Sequence, residues 1–405
     1  MLKKTYPNGV TCLAIEATHK GPTNLSLYFP GGRQFETEAN SGITYLLLQQ
    51  MFNQFRAHQP DQSIMDPITL ENHADFCGFS FGGIKNELSQ ALKMMFQLLT
   101  LPTKGTSYLK EEKDHSLREI ARTIKDPLRR PVELFYQSLF SGHPYAFSRY
   151  GTESTVESIS FDQLMDWKNE VVRLDRMHIV VSGSIAPEKV LDEVFEIFGM
   201  IPTEKHPTRA SVLPLIPLKK FTPKIEKSDA DRTSIVVGHK GVDSKDHRYE
   251  DLEVLRNWLA GVKGKLHQSF REKMSLAQNV NAYNVSLLRG GAFFLHAITK
   301  PEDEAKLVDY MTAFFASLNK MIISKEEFDN AKKQAIDLYL QGLRSNDALS
   351  YYMANQLIAG KDPMRYDDYV ARINKVQLSK MMSVMKEVFL EQLYAIGIVR
   401  GAYGS

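Results

Sequence analysis

One succession of strand and helix patterns is read twice along this chain, so its fold has to be built from two like halves. In the first half TNLSLYF (23–29) alternates like a strand, GITYLLLQQMF (42–52) has helical spacing, and ADFCGFSFGGI (74–84) is strand-like. Helical spacing returns over 86–99 and 108–124, and HIVVSGSI (178–185) reads as a strand. The second half offers a strand over 233–239, a helix over 249–260 and a strand-like run over 282–297. Helices over 302–318 and 323–341 and a last strand over 393–399 follow. Corresponding points lie roughly 205–215 residues apart. Gly82-Gly83 and Gly290-Gly291 read as punctuation of matching strands, and Lys110-Glu111-Glu112 matches Lys325-Glu326-Glu327.

Between the two halves, Pro202, Pro207, Pro214, Pro217 and Pro223 stand among lysines and small polar residues. That composition defeats both a helix and a central strand. A length of 405 residues suits two domains. The expected organisation is an N-terminal domain over 1–203, a proline-rich linker over 204–224 and a C-terminal domain over 225–405. The expected class is α+β: two homologous αβ domains, each a largely antiparallel sheet with helices packed mainly on one face.

Charge and composition narrow the partners. Lysine plus arginine (50) nearly balances aspartate plus glutamate (48), so nothing favours nucleic acid. The opening MLKKTYPNGV meets Pro7, Asn8 and Gly9 where a secretory signal needs an apolar run, and no stretch is long and apolar enough for a membrane helix. Two cysteines, Cys12 and Cys77, are too few for a disulfide framework or a cysteine-rich zinc site. No dinucleotide fingerprint or phosphate-binding loop occurs, so no cofactor is expected. A cytoplasmic location is the expectation.

The tract NGVTCLAIE through NLSLYFPGGRQFETEANSGITYLLLQQMF resembles the start of the pitrilysin-type zinc peptidases, which include mitochondrial processing peptidase and insulin-degrading enzyme. LREIARTIKDP (117–127), HPYAFSRYGTE (143–153), MHIVVSGSIAPEKV (177–190) and FREKMSLAQNVNAY (270–283) continue the resemblance in order. The family carries an inverted zinc motif, H-x-x-E-H, on its first helix. Two histidines one turn apart share the metal, and the glutamate takes a proton from the bound water. Aligned on Gly42, the motif positions are Tyr45, Leu48 and Gln49, and none keeps its role. Tyrosine is protonated at neutral pH, leucine takes no proton, and an amide carbonyl suits harder cations than zinc. No two of the 11 histidines lie within five residues of each other, which excludes a helical histidine pair elsewhere.

The resemblance places the third ligand at Glu119, with Glu112 two turns earlier on the same face. Without histidines, Glu119 reads as an ordinary polar residue or a partner of Arg118 or Arg122. The family also uses an arginine and a tyrosine seven residues apart, which reach the facing domain's cleft and support the peptide and its oxyanion. Here those positions are Arg271 and Gln278. An amide still donates a hydrogen bond to a peptide carbonyl. Tyr283 is a stand-in candidate for the missing tyrosine, and Arg271 reads equally as a surface helix charge.

Two rival signals have structural explanations. Gly78-Phe79-Ser80-Phe81-Gly82 fits the serine-hydrolase pattern, which requires a sharp strand-to-helix turn. Alternation of Phe76, Gly78 and Ser80 against Cys77, Phe79 and Phe81 argues for a plain strand. His143 reads as part of a structural turn, with Thr152 or Ser154 capping the following helix.

What the resemblance implies is a non-catalytic homologue, with no catalytic residue and no metal. It would pair as a heterodimer with an active zinc-peptidase subunit, bind peptide or unfolded polypeptide and supply chamber wall, with Arg271 and Gln278 as substrate contacts. The alternatives are a structural homodimer or scaffold subunit with no peptide role, and a hydrolase using Ser80.

Overall fold

The computed structural model describes residues 1–17, 21–59, 67–84, 87–102, 106–203, 215, 220–261, 264–273, 276–277, 279–363, 366–389 and 393–402. Most of the proline-rich stretch 204–224 lies outside them. Eleven strands form two sheets among these residues. The first comprises β1 (Leu2–Thr5), β2 (Thr11–Glu16), β3 (Thr23–Pro30), β4 (Ile68–Asn72), β5 (Phe76–Ile84) and β6 (His178–Gly183), in the order β1-β2-β6-β3-β5-β4. The second comprises β7 (Lys224–Lys227), β8 (Thr233–Gly241), β9 (Asn279–Leu287), β10 (Gly290–Thr299) and β11 (Ala395–Arg400), in the order β7-β11-β8-β10-β9.

Laid side by side, the orders superpose strand for strand: β2 on β7, β6 on β11, β3 on β8, β5 on β10 and β4 on β9. The sense of pairing agrees as well. Only β2–β6 and β7–β11 are parallel, and the rest are antiparallel. The fold is α+β with two homologous sheets, as the repeat requires. The glycine pairs do not mark equivalent points, however. Gly82-Gly83 ends β5, whereas Gly290-Gly291 begins the equivalent β10. The run 282–297 is not one strand but parts of two, which turn tightly between Leu287 and Gly290.

The helices are α1 (Ile43–Ala57), α2 (Leu88–Thr100), α3 (Thr106–Lys125), α4 (Arg129–Leu139), α5 (Glu153–Ser158), α6 (Phe161–Val171) and α7 (Pro187–Val194). They continue as α8 (Tyr249–Ala260), α9 (Glu304–Leu318), α10 (Lys325–Gly342), α11 (Asn346–Ile358), α12 (Tyr366–Lys375) and α13 (Leu378–Val388). Among the described residues none is long and apolar enough to cross a membrane.

Contacts divide the chain into two units. One is Met1–Ile120, Ser148–Val212 and Gln341–Met364; the other is Ala121–Phe147, Leu213–Leu340 and Arg365–Ser405. Each unit therefore takes a helix from the opposite half of the sequence. In the first, Leu46, Leu47, Leu48, Met51 and Phe55 of α1 pack on Cys77, Phe79 and Phe81 of β5. The opposite sheet face, with Leu13, Ile15, Tyr28, Phe76 and Val180, is covered by Leu349, Met353, Ala354 and Leu357 of α11. Ser182 of β6 fixes that helix by donating to the Asn346 carbonyl at 2.6 Å.

In the second unit α4 lies against β11 and β8. Phe135 meets Phe294 with ring centroids 5.0 Å apart. At Gly397 strand and helix backbones approach so closely that a Cβ would sit 2.3 Å from the Pro131 carbonyl oxygen and 2.4 Å from the Phe135 nitrogen. Ser234 of β8 donates to the Pro127 carbonyl at 2.6 Å and meets His296 Nε2 at 2.8 Å. On the other face His239 sits among Phe315, Phe389 and Tyr394 at 4.6–5.1 Å.

Candidate functional site

The site lies where α1 and α3 face each other. α1 begins at Gly42, whose φ of 92° suits glycine, and a Cβ there would meet the Tyr150 carbonyl oxygen at 2.5 Å. Its first turn is held by the buried Glu36 carboxylate, which accepts from the Gly42 and Thr44 N–H groups at 2.8 and 3.1 Å. A carboxylate there suits the positive end of the helix dipole. Burial pushes the Glu36 carboxyl upward, against hydrogen bonds from Thr44 and Gly42 and the charge of Arg33. Thr44 also accepts from Trp167 Nε1 at 3.1 Å, which ties α1 to α6.

Tyr45 is buried, its hydroxyl 3.2 Å from His115 Nε2 on α3. Tyr150 meets its ring edge-on at 4.7 Å, and the Arg149 guanidinium lies 5.2 Å above the Tyr150 ring. Burial, then the neighbouring Tyr150 and Glu119, push the Tyr45 phenol well above its ordinary range. It stays protonated at any physiological pH. Leu48 has no exposed surface and belongs to the apolar core of the first unit. Gln49 is 9% exposed. Glu119 is half-buried and close enough to act electrostatically on Tyr45. Glu112 is buried, and its Oε1 accepts from Asn53 Nδ2 at 2.6 Å. Its Oε2 has no hydrogen bond among the described residues, and burial moves its carboxyl upward.

These side chains do not make a zinc site. The α1 positions supply a protonated phenol, a hydrocarbon and an amide, whereas zinc sites take imidazole, thiolate or carboxylate. Among the described residues no group of three or more His, Cys, Asp or Glu is placed to hold a metal ion. The arrangement offers hydrogen bonding through Tyr45 and His115 but no base at position 48.

The structure brings Tyr45 and Glu119 into one neighbourhood of the first unit, whereas Leu48, on the same helix, packs into the apolar core. Arg271 belongs to the second unit, where its backbone forms part of the helical turn His267–Lys273. The turn is anchored by Phe270, which is fully buried against Tyr310 and Phe314. The Arg271 side chain and the whole of Gln278 lie outside the described residues. Tyr283, on edge strand β9, is 37% exposed and stacks on Phe294 at 5.0 Å.

Ser80 lies within β5 and is 4% exposed. Its hydroxyl is engaged by Asn24 Nδ2 at 2.9 Å and Ser26 Oγ at 3.0 Å, it lies inside a strand and not on a strand-to-helix turn, and among the described residues no histidine is hydrogen-bonded to it. His143 caps a short turn, its Nδ1 accepting from the Tyr145 N–H at 3.1 Å. Thr152 caps α5. His115 is the neighbour that sequence reasoning passed over. Its signal was the spacing of Glu112, His115 and Glu119, which places all three on one helical face.

A sequence family described as "Peptidase M16 inactive domain" matches residues 158–335. The chain is similar to an uncharacterized zinc protease, YmxG, of Bacillus subtilis, at 23% identity over 98% of both chains. It is similar to a probable mitochondrial-processing peptidase subunit beta of Schizosaccharomyces pombe, at 20% identity over 99% of this chain and 91% of that one. The fold matches the crystal structure of a peptidase M16 inactive domain from Pseudomonas fluorescens with a TM-score of 0.85 and 19% identity, over 100% and 98% of the two chains. These matches support membership of the pitrilysin-type zinc peptidase family, and the positions that align with that family's zinc motif hold Tyr45, Leu48 and Gln49.

Proposed function

We propose that this chain is a non-catalytic subunit that pairs with an active, zinc-bearing peptidase subunit and contributes chamber wall and peptide contacts. One observation carries the reading: the α1 face that the family uses for metal chemistry is here a packing face, with Leu48 sealed in the core and Tyr45 held against Tyr150 and His115. Similarity to a protein named as a subunit of a processing peptidase supports the pairing. Polypeptide substrate is held in extended form along a sheet edge, where main-chain hydrogen bonds supply affinity and side-chain pockets supply selectivity. Strand β4 is such an edge in the first unit. Arg271 and Gln278 are the residues assigned to contact the peptide.

The test is affinity purification from the native host, with mass spectrometry of what accompanies the chain and metal analysis of the chain alone. The expected result is a co-purifying subunit bearing H-x-x-E-H and far less than one equivalent of zinc on this chain. In the reconstituted pair, Arg271→Ala lowers peptide turnover more than Glu119→Ala. Stoichiometric zinc, or peptide cleavage by the isolated chain, overturns the proposal.

A further inference from the structure

β3 runs antiparallel to both β5 and β6, so the start of β3 and the ends of β5 and β6 meet at one end of the first sheet. Thr23 opens β3, Ile84 closes β5 and Gly183 closes β6. The chain passes from β5 into α2 and from β6 into α7, and the two helices pack on each other. Both therefore begin at that end of the sheet. A cavity of about 630 Å³ lies there, a size usual for ligand sites, lined by Thr23, Ile84, Leu88 of α2 and Lys189 of α7.

The groups around it are mostly donors. Neither helix has a side chain capping its first turn, since Glu87 and Ala186 at the cap positions make no side-chain bond. The first N–H groups of a helix have no partner within it, and the helix dipole adds positive potential there. Pro187 carries no N–H, so α7 offers those of Glu188 and Lys189. Thr23 is 5% exposed, and its hydroxyl has no hydrogen-bond partner among the described residues. That hydroxyl lies over Gly183, where a Cβ would come within 2.2 Å of it, so the glycine gives it room. Lys189 is exposed at the rim, its ammonium 3.7 Å from Glu193. Ile84, Leu88 and Ile185 supply an apolar wall.

We propose that this cavity binds a small carboxylate carried on a short apolar group. The carboxylate accepts from the Thr23 hydroxyl and from the free helix N–H groups, and the apolar body rests on Ile84, Leu88 and Ile185. The inference does not depend on the peptidase-subunit reading. A buried hydroxyl without a partner has given up its hydrogen bonds to water, so an acceptor brought to it is favoured. The exposed Glu87 and Glu188 flank the helix starts and Glu193 already draws on Lys189, so the site meets a single negative charge more readily than the nearly two of a phosphate. A free branched-chain acid and the C-terminal residue of a peptide share this chemistry, and the test separates them.

Ligand-observed NMR titration of the full chain with 4-methylpentanoate tests the site. The expected dissociation constant is on the order of millimolar, and 4-methylpentanamide, alike in shape but uncharged, binds about tenfold more weakly or less. Thr23→Val keeps the shape and β-branching, removes the hydroxyl and weakens the acid by about tenfold, which narrows its lead over the amide. Lys189→Met weakens the acid by about threefold, and added salt shrinks that difference. Unchanged circular dichroism shows that the variants fold. N-acetyl-leucyl-leucine binding more tightly than 4-methylpentanoate identifies a peptide C-terminus as the source, and weaker binding identifies a free acid. No binding of the acid up to about 50 mM, equal binding of acid and amide, or a folded Thr23→Val variant that binds like the parent would overturn the proposal. So would inorganic phosphate that displaces the acid at lower concentration than the acid itself needs, since it would assign the cavity to a phosphorylated ligand.

Discussion

Replacing Leu48 by glutamate restores the family's general base to α1 and tests whether this face has become a packing face. Leu48 has no exposed surface, so the substitution forfeits about 1.5–3 kcal/mol of apolar burial. Leaving an unpartnered carboxyl in the core costs about 1–3 kcal/mol more, even when it is protonated. The expected loss is therefore about 3–6 kcal/mol, against a total of about 5–15 kcal/mol for a typical domain. Burial raises the introduced carboxyl's pKa in the folded state, so the unfolded state releases the proton first as pH rises. Stability then falls with increasing pH, by at most about 1.4 kcal/mol per unit, from near 4.3 until the folded-state value is passed. Urea denaturation at pH 4.5 and pH 7, with Leu48→Met as a control expected to cost under about 1.5 kcal/mol, reads both effects. A Glu variant within about 1 kcal/mol of the parent, equally stable at both pH values, would refute the packing argument.

Two further outcomes follow from the packing of buried groups. Gly397→Ala places a methyl group against the backbone of α4, which has no side chain to swing aside, and should destabilise the protein by about 2 kcal/mol or more in chemical denaturation; a neutral effect would mean that α4 is not seated on β11. Burial lowers His178, His239 and His296 to about 4, so the unfolded chain binds more protons between pH 6.5 and 4. Stability is full above pH 6.5 and lost as pH falls through that window, by up to about 3 kcal/mol per histidine, and a midpoint of unfolding flat from pH 7 to 4 would contradict it.

The repeat was legible because strand and helix periodicities differ and recur in a fixed order. What periodicity cannot state is the partner of an apolar stripe. The stretch that becomes α11 carries apolar residues on every side, Leu349, Met353 and Leu357 among them, so it shows no clear face and reads as no element from sequence; nothing local says that it covers a sheet begun at residue 2. The glycine pairs misled for a related reason: composition marks a turn without saying which end of a strand it closes. Loss of the metal ligands was readable, because no environment turns Leu48 into a base. That Tyr45 would settle against His115 was not, since the two meet only when α1 and α3 pack.

The reciprocal traffic of α4 and α11 bears on synthesis. A nascent chain that has left the ribosome only as far as residue 203 cannot yet shield Leu13, Ile15, Tyr28, Phe76 and Val180, because the segment that blankets them is more than a hundred codons away. Cutting the gene at the proline tract would strand the same surface permanently and deprive the downstream fragment of Phe135. The halves resemble separate modules on paper, yet the chain matures as one piece.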